Sequence, residues 1–252
     1  LLIHDTLPGA SGYEWSKIED ELAIDHTVYT VDLLGCGRSD KSSITYTNFV
    51  YVQMISDFIK KIIGQKTDVI ASGFSGSFVT MACHNEKELF NKIMLVNPPS
   101  LTQLKQMPNR KDRLLKAALE IPIFGTLVYH MIVSRDNINN LFIEKMYYNP
   151  FHVDNQMADA YYEAAHKGGY YTRFLYSSLA AKYININICH ALKALDNSIY
   201  IVEGETEPNG KAVTDDYCAS NPAIEVSVLK ETKHLPHVEA PEAFLEQVKI
   251  FF

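Results

Sequence analysis

Short runs of branched apolar residues alternate with helical patterns along most of this chain, and the alternation limits the folds that it can adopt. The runs are typical of strands, and they cover residues 1–4, 27–32, 68–72, 92–97, 199–203 and 224–229. Segments with apolar residues three and four positions apart predict helices at 13–22, 49–63, 77–85, 212–218 and 242–250. Such alternation favours a mainly parallel sheet with helices on both faces. We therefore predict an α/β fold.

One long stretch departs from this alternation. Between about residues 98 and 188 the sequence has helical periodicity and no convincing strand, with helices predicted at 111–119, 124–133, 137–146, 156–166 and 172–182. Tyrosines collect there, Tyr147 and Tyr148 among them. We predict a core formed by 1–98 and 186–252, and a helical cap, 99–185, over the carboxyl edge of the sheet. The alternative is that these tyrosines are ordinary core contacts of amphipathic helices.

The composition excludes several kinds of partner. Thirty acidic against 23 basic residues leave a formal charge of −7, which removes the general attraction to phosphate backbones and argues against nucleic acid. The longest apolar stretch, 121–133, has 13 residues, whereas a membrane-spanning helix needs about 20. The four cysteines form no CxxC pair, which favours a cytoplasmic location. No metal cluster or nucleotide loop occurs in the sequence, so we predict no metal and no cofactor.

A strand, a tight turn and an apolar helix follow one another at residues 68–82. Gly73 and Gly76 lie on either side of Ser75, where small residues allow the strand and the helix to approach each other. Ser77 stands where this pattern usually has its last glycine. The helix N-terminus would present N–H groups to an anion that forms at the serine. The arrangement is typical of a nucleophile elbow.

Four further segments resemble motifs of the α/β-hydrolase superfamily, in the branch that has a helical cap after the sixth strand. Residues 1–9 resemble the oxyanion loop after the third strand, and 32–40 resemble the Asp-x-x-Gly-x-Gly-x-Ser turn. Residues 199–208 and 234–244 resemble the segments that deliver the acid and the histidine. The order of serine, acid and histidine agrees as well. The resemblance implies an α/β-hydrolase fold, and we expect the first two strands of that fold to precede residue 1.

The resemblance also implies catalytic roles for individual residues. Ser75 corresponds to the nucleophile, His234 to the base and Glu207 to the carboxylate that orients the base. Glu203 and Glu205 are rivals of Glu207 for that last role. Alternation along the strand turns Glu203 into the layers around the sheet, and Glu207 matches the usual place of the acid.

The remaining site residues are expected around this triad. His237 lies three positions after the proposed base and is its main competitor. The backbone N–H groups of Thr6 and Gly76 correspond to the oxyanion hole. The side chains that we expect to contact substrate are Phe74, His237, Tyr147 and Tyr148.

The predicted activity is that of a serine hydrolase, and it rests on the resemblance. Its substrate would be an ester, a thioester or a similarly activated carbonyl compound that is small to medium in size and mostly apolar. A serine at position 75, where other branches have an aspartate, argues against haloalkane dehalogenase and epoxide hydrolase chemistry. Two alternatives stay open: a lyase or C–C bond-cleaving enzyme with the same triad, and a weakly active or inactive ligand-binding member.

Asp5 is the clearest departure from the superfamily pattern, because a glycine normally stands at its position in the oxyanion loop. A carboxylate about 5 Å from a developing oxyanion would repel it by roughly 3 kcal/mol at an effective dielectric constant near 20. Such repulsion would slow an acyl-transfer reaction about a hundredfold. Alternatively, the side chain turns away and accepts hydrogen bonds from nearby backbone N–H groups, as Asp does in turns.

Overall fold

A single sheet of six parallel strands forms the centre of the protein in the computed structural model, which describes all 252 residues. The strand order is β2-β1-β3-β4-β5-β6. The strands are β1 (Leu2–Ile3), β2 (Thr30–Val31), β3 (Thr67–Ser72), β4 (Phe90–Val96), β5 (Ile199–Gly204) and β6 (Glu225–Leu229). The parallel sheet and all six predicted strands are confirmed. The first two strands are shorter than predicted, because only two residue pairs lie in register between them.

Thirteen α-helices surround the sheet. They are α1 (Glu19–Asp25), α2 (Asn48–Phe58), α3 (Ser75–Asn85), α4 (Leu101–Leu104), α5 (Arg110–Glu120), α6 (Pro122–Ile132), α7 (Arg135–Leu141), α8 (Asn155–His166), α9 (Arg173–Ala180), α10 (Cys189–Ala194), α11 (Gly210–Ser220), α12 (Pro236–Glu239) and α13 (Pro241–Phe251). Residues 59–63 and 142–146 continue α2 and α7 as single π-helical turns. The helix predicted at 13–22 is instead a 3₁₀ turn at Gly12–Trp15 followed by α1. The other predicted helices are present, with ends that differ by a few residues.

Alternation along β4 shows how the two faces of the sheet are covered. Ile93 and Leu95 join the apolar cluster on one face, which contains Phe78 of α3. Met94 and Val96 join the cluster on the other face, which contains Phe244 of α13. Successive side chains of a strand point to opposite faces, so β4 is buried on both sides. Helices on both faces, as predicted, are therefore confirmed.

The segment between β4 and β5 contains helices α4 to α10 and no strand. A third apolar cluster joins it to the loops after the strands, because Tyr129 and Tyr161 of the segment pack with Ala10, Leu235 and Val238. These two tyrosines are buried core contacts, and so is Tyr147, which is 2% exposed. This agrees with the alternative given above for the tyrosines of the segment. The boundaries of a separate cap at residues 99 and 185 stay a prediction.

No single helix is long and apolar enough to cross a bilayer. Helices α5 and α6 meet the length and composition limits only when they are taken together, and a bend of 95° separates them.

Candidate active site

The sharp turn after β3 lies at Gly73, two residues earlier than the turn predicted around Ser75. Gly73 has a φ of +53°, in the left-handed region that favours glycine, and α3 begins at Ser75 itself. A Cβ atom on Gly73 would overlap with the carboxylate group of Asp5. Glycine is therefore required at this position both by the backbone and by the neighbouring side chain.

Ser75 lies inside the protein and away from the predicted base. Its side chain is fully buried, and its hydroxyl donates to the carbonyl of His4 over 2.5 Å and lies 3.1 Å from Oγ1 of Thr6. No hydrogen bond joins Ser75 to His234, whose ring bonds to two carboxylates instead. The structure thus does not bring the predicted nucleophile to the base. The physical reason is the earlier turn, which places Ser75 in the first turn of the helix.

His234 and Glu207 do meet as predicted. Nδ1 of His234 lies 3.2 Å from Oε1 of Glu207, which belongs to the loop after β5. Of the two rivals, Glu205 is exposed and accepts the backbone N–H of Glu231, whereas Glu203 is buried and lines the cleft below. Glu207 is the one of the three glutamates whose side chain bonds to the imidazole.

Asn97, at the end of β4, holds the histidine loop against β5, and the sequence did not single it out for this. Its amide nitrogen donates to the carbonyls of Lys233 and His234, over 2.8 and 2.9 Å. Its oxygen accepts the N–H of Gly204 over 3.0 Å. The residue has a φ of +43°, a conformation that asparagine adopts more easily than most side chains. The available signal in the sequence was an asparagine at the end of a strand, directly before two prolines.

The carboxylate of Asp5 lies at the centre of the site. Its Oδ1 accepts the backbone N–H groups of Thr6 and Phe74, over 2.6 and 2.8 Å. Its Oδ2 lies 3.4 Å from Nε2 of His234. The N–H of Gly76, expected in the oxyanion hole, instead donates to the carbonyl of Gly73 within the turn. The two backbone N–H groups that point to one acceptor are therefore those of Thr6 and Phe74. Of the two outcomes expected for Asp5, the structure has the one in which its side chain accepts backbone hydrogen bonds.

The main chain of Asp5 is held as firmly as its side chain. His4 bonds to the Asp5 carbonyl through Nδ1 over 2.6 Å, and its Nε2 accepts the N–H of Leu33 over 3.0 Å. Because Nε2 is an acceptor, the ring proton is on Nδ1. The N–H of Asp5 donates to Oε2 of the buried Glu14 over 3.3 Å. A carboxylate fixed in this way is pre-organised, and little rearrangement is needed for it to act.

His237 lies outside the cleft, so its predicted contact with substrate is not supported. It is fully buried, its Nε2 lies 3.2 Å from Oε1 of Glu14, and its ring stacks on Trp15 with 4.3 Å between centroids. Burial would raise the pKa of Glu14, but the hydrogen bond and charge of His237 outweigh it and lower that pKa. The histidine therefore supports, through Glu14, the loop after β1 that contains Asp5.

Replacing Glu14 by alanine is expected to lower the free energy of unfolding by about 3 kcal/mol, because His237 and the N–H of Asp5 lose a buried partner. Since its pKa is lowered in the folded chain, Glu14 stabilises the fold above its unfolded pKa near 4.5, and the contribution is lost as the pH falls. Urea unfolding at neutral pH measures the change. The exposed Glu246→Ala is the control, and equal midpoints for the two variants would contradict the expectation.

The electrostatics of the site favour a charged imidazole. Burial alone would lower the pKa of His234, but hydrogen bonds to Asp5 and Glu207 outweigh it and raise the pKa to about 10. At neutral pH the ring is therefore protonated between two carboxylates. A protonated histidine can donate a proton, and it becomes a base only after one of its carboxylate partners has been neutralised.

These groups open into a cleft of about 540 Å³ at the carboxyl ends of the strands. Apolar side chains line part of it: Leu7, Phe74, Leu141, Met146 and Val213. Charged side chains also line it: Asp5, Glu144, Lys145, Glu203, Glu207, Lys233 and His234. Phe74 lies in the cleft as predicted, whereas Tyr147 and Tyr148 line a different depression. Tyr147 turns into the apolar cluster, which removes it from the cleft.

Several solved structures with the same architecture are hydrolases of different kinds. A 2-hydroxy-6-oxo-6-phenylhexa-2,4-dienoate hydrolase from Rhodococcus sp. strain RHA1 superposes with a TM-score of 0.78 at 18% identity, over 100% of this chain and 89% of its own. A serine hydrolase involved in carbazole degradation gives 0.78 at 17%, over 99% and 88%. An epoxide hydrolase gives 0.77 at 16%, over 96% and 87%. At these identities the likeness concerns the fold.

Sequence comparison agrees with the fold. An uncharacterized protein of Mycobacterium tuberculosis is 25% identical over 103 residues, which are 41% of this chain and 30% of that protein. The match thus spans under a third of the relative's length. The model of the "Alpha/beta hydrolase family" matches residues 1–247, nearly the whole chain. The sheet order, the turn after β3 and the Glu207–His234 pair are consistent with that match. The chain belongs to the alpha/beta hydrolase family.

Proposed function

We propose that this protein is a hydrolase whose active site is the cleft above Asp5, His234 and Glu207. The observation that carries the proposal is the continuous line of hydrogen-bonding groups from Glu207 through the imidazole to Asp5, ending at two backbone N–H groups. A positioned proton carrier and a site for negative charge both contribute to hydrolytic catalysis. Both lie here in the lining of one cleft.

The substrate class follows from the lining of the cleft. Its volume, about 540 Å³, suits a small to medium molecule. Phe74, Leu141 and Met146 provide apolar contacts, while Lys145 and Lys233 lie among the carboxylates of Asp5, Glu144, Glu203 and Glu207. The substrate is therefore a molecule with an apolar body and a polar group, rather than a purely apolar one.

Ester cleavage through Ser75 is the finer activity that the sequence suggested. For that reaction the hydroxyl would have to leave the His4 carbonyl and reach His234, whose Nε2 already faces Asp5. The N–H groups of Thr6 and Phe74 would also have to break their hydrogen bonds to Oδ1 of Asp5. The geometry thus favours the carboxylate over the serine as the reacting group. A cytoplasmic location remains the prediction made from the cysteines.

The test is turnover of a panel of probes: p-nitrophenyl esters, styrene oxide and a dienoate C–C substrate of the kind named for one of the structural neighbours. We expect hydrolysis of at least one probe and a loss of at least about a hundredfold in His234→Ala, because the proton carrier is removed. His26→Ala, at an exposed histidine, is the matched control and is expected to match the wild type.

Two results would contradict the proposal. Equal turnover by His234→Ala and His26→Ala would move the chemistry to another site. Tight ligand binding without any turnover would instead support the second candidate, a ligand-binding member, which the occupied N–H pair favours. If Ser75→Ala abolishes ester turnover while Asp5→Asn does not, the serine-hydrolase prediction is restored.

A further inference from the structure

We infer that Asp5 is the nucleophile of this hydrolase, and that it attacks an electrophilic sp³ carbon, such as a ring carbon of an epoxide. Its carboxylate occupies the space that a side chain at position 73 would otherwise take. The inference rests on the proposed function and names its reacting atom and its substrate class. In the pattern of a nucleophile elbow, the residue at the sharp turn is the nucleophile. Here that role is assigned instead to Asp5, in the loop after β1. The evidence consists of three contacts of the Asp5 carboxylate.

The first contact is with the elbow itself. Gly73 occupies the sharp turn between β3 and α3, with φ at +53°, and a side chain placed there would overlap with the carboxylate of Asp5. The two residues therefore compete for one volume. In this chain the carboxylate of Asp5, from the loop after β1, fills that volume. It can do so only because the residue at the turn is a glycine and has no side chain.

The second contact is with the N–H groups of Thr6 and Phe74, which both bond to Oδ1. An ester or thioester substrate needs such donors for its own oxyanion, and here they are already taken by Asp5. Attack on an sp³ carbon creates no oxyanion on an acyl group. The arrangement therefore disfavours acyl transfer to Asp5 and permits alkyl transfer.

The third contact, between Oδ2 and Nε2 of His234, places the proton carrier beside the attacking atom. In the first step a lone pair of Oδ2 forms a bond to the epoxide carbon, and the C–O bond of the ring breaks. The ring oxygen, which in-line attack places on the far side of the carbon from Oδ2, keeps that electron pair and receives the proton of Nε2 through an intervening water molecule. The products are an alkyl ester on Asp5 and a neutral His234, so charge and protons balance.

The second step is hydrolysis of this ester. Esterification neutralises one of the two carboxylates beside His234, so the ring can act as a base. It takes a proton from water as the water oxygen adds to Cγ of Asp5, and the negative charge develops on Oδ1, which already accepts the Thr6 and Phe74 N–H groups. The C–O bond to the diol then breaks, His234 protonates the leaving oxygen, and the acid of Asp5 returns its proton to the ring.

The intermediate can be trapped with styrene oxide as the probe. In His234→Ala the ester is expected to form slowly and to persist, because the base for its hydrolysis is absent. Mass spectrometry of peptides should then find the mass of styrene oxide added to the peptide that contains Asp5. The double variant Asp5→Asn, His234→Ala is the control and should carry no adduct on that peptide. Circular dichroism and urea unfolding establish that both variants are folded.

A second experiment follows the oxygen atom in the wild-type protein. In a single turnover in water labelled with heavy oxygen, the diol should contain only light oxygen, because its new oxygen atom comes from Asp5. After many turnovers the Asp5 peptide itself should contain heavy oxygen. Direct attack of water on the substrate predicts the opposite in both measurements.

The outcomes separate this inference from the proposed function. An Asp5 adduct together with heavy oxygen on Asp5 supports both. Turnover of styrene oxide with heavy oxygen in the diol from the first cycle, or turnover of esters that survives Asp5→Asn, overturns the nucleophile and leaves a hydrolase. No turnover of any probe and no adduct in His234→Ala overturns the hydrolase and the nucleophile together.

Discussion

Asp5→Gly is expected to lower kcat/KM for hydrolysis by about four orders of magnitude, the effect of removing a nucleophile from a working constellation. The substitution also empties the volume beside Gly73. Adding Gly73→Asp to the same chain is expected to return the rate to within about a hundredfold of the wild type, because a carboxylate misplaced by roughly 1 Å costs about that much. Aspartate also tolerates a positive φ better than most residues.

The control for this pair of substitutions is Gly64→Asp. Gly64 has a φ of +72°, and nothing lies within 4 Å of the position of its Cβ atom, so the variant reports only the cost of an aspartate in a left-handed turn. Gly73→Asp alone is expected to be inactive or poorly folded, since two carboxylates would occupy one volume. If Asp5→Gly keeps wild-type turnover, or if the double variant is no faster than Asp5→Gly, then a carboxylate at position 73 does not take over the role assigned to Asp5, and the inference is disproved.

Glu207→Gln is expected to lower kcat by about a thousandfold. An orienting carboxylate fixes the ring and stabilises its charged form, and its loss from a serine triad costs about 10⁴. The loss is smaller here because Asp5 also bonds to His234. Glu205→Gln, two positions away and exposed, is the control and should retain the wild-type rate. Similar losses in the two variants would place the orienting role elsewhere.

The pH dependence gives this substitution a second signature. The wild type should open an epoxide below the pKa of His234, which its carboxylate partners raise to about 10, and lose this activity as the ring is deprotonated above it. Removing one partner lowers that pKa, so the alkaline decline of kcat/KM, which follows the ionisation of the free enzyme, should move to lower pH in Glu207→Gln. The other charged groups of the cleft are Glu144, Lys145, Glu203 and Lys233. An unchanged decline would mean that His234 does not supply the proton.

Much of this molecule could be predicted from local patterns. Branched apolar runs and helical periodicity located the six strands and the long helical segment between β4 and β5, because burial on both faces of a parallel sheet leaves a direct record in residue type. The positions of the histidine loop and the acid loop followed from the resemblance of residues 199–208 and 234–244 to motifs of the α/β-hydrolase superfamily. The Glu207–His234 pair was therefore predictable, since both loops leave the same edge of the sheet.

Only the tertiary structure decided which group stands at the elbow. The pattern around Ser75 is compatible with a turn at Ser75 or at Gly73, and the sign of φ at Gly73 depends on packing that the spacing of residues does not encode. Asp5 reaches Phe74 across 69 positions of sequence, so its carboxylate could be recognised as unusual but could not be placed. His237, three residues from the base, was turned inward by a buried glutamate that no motif connects to it. Local residue types determined the scaffold of this protein, whereas contacts between distant segments determined which groups meet in its candidate site, because the Asp5 side chain fills the volume that Gly73 leaves free.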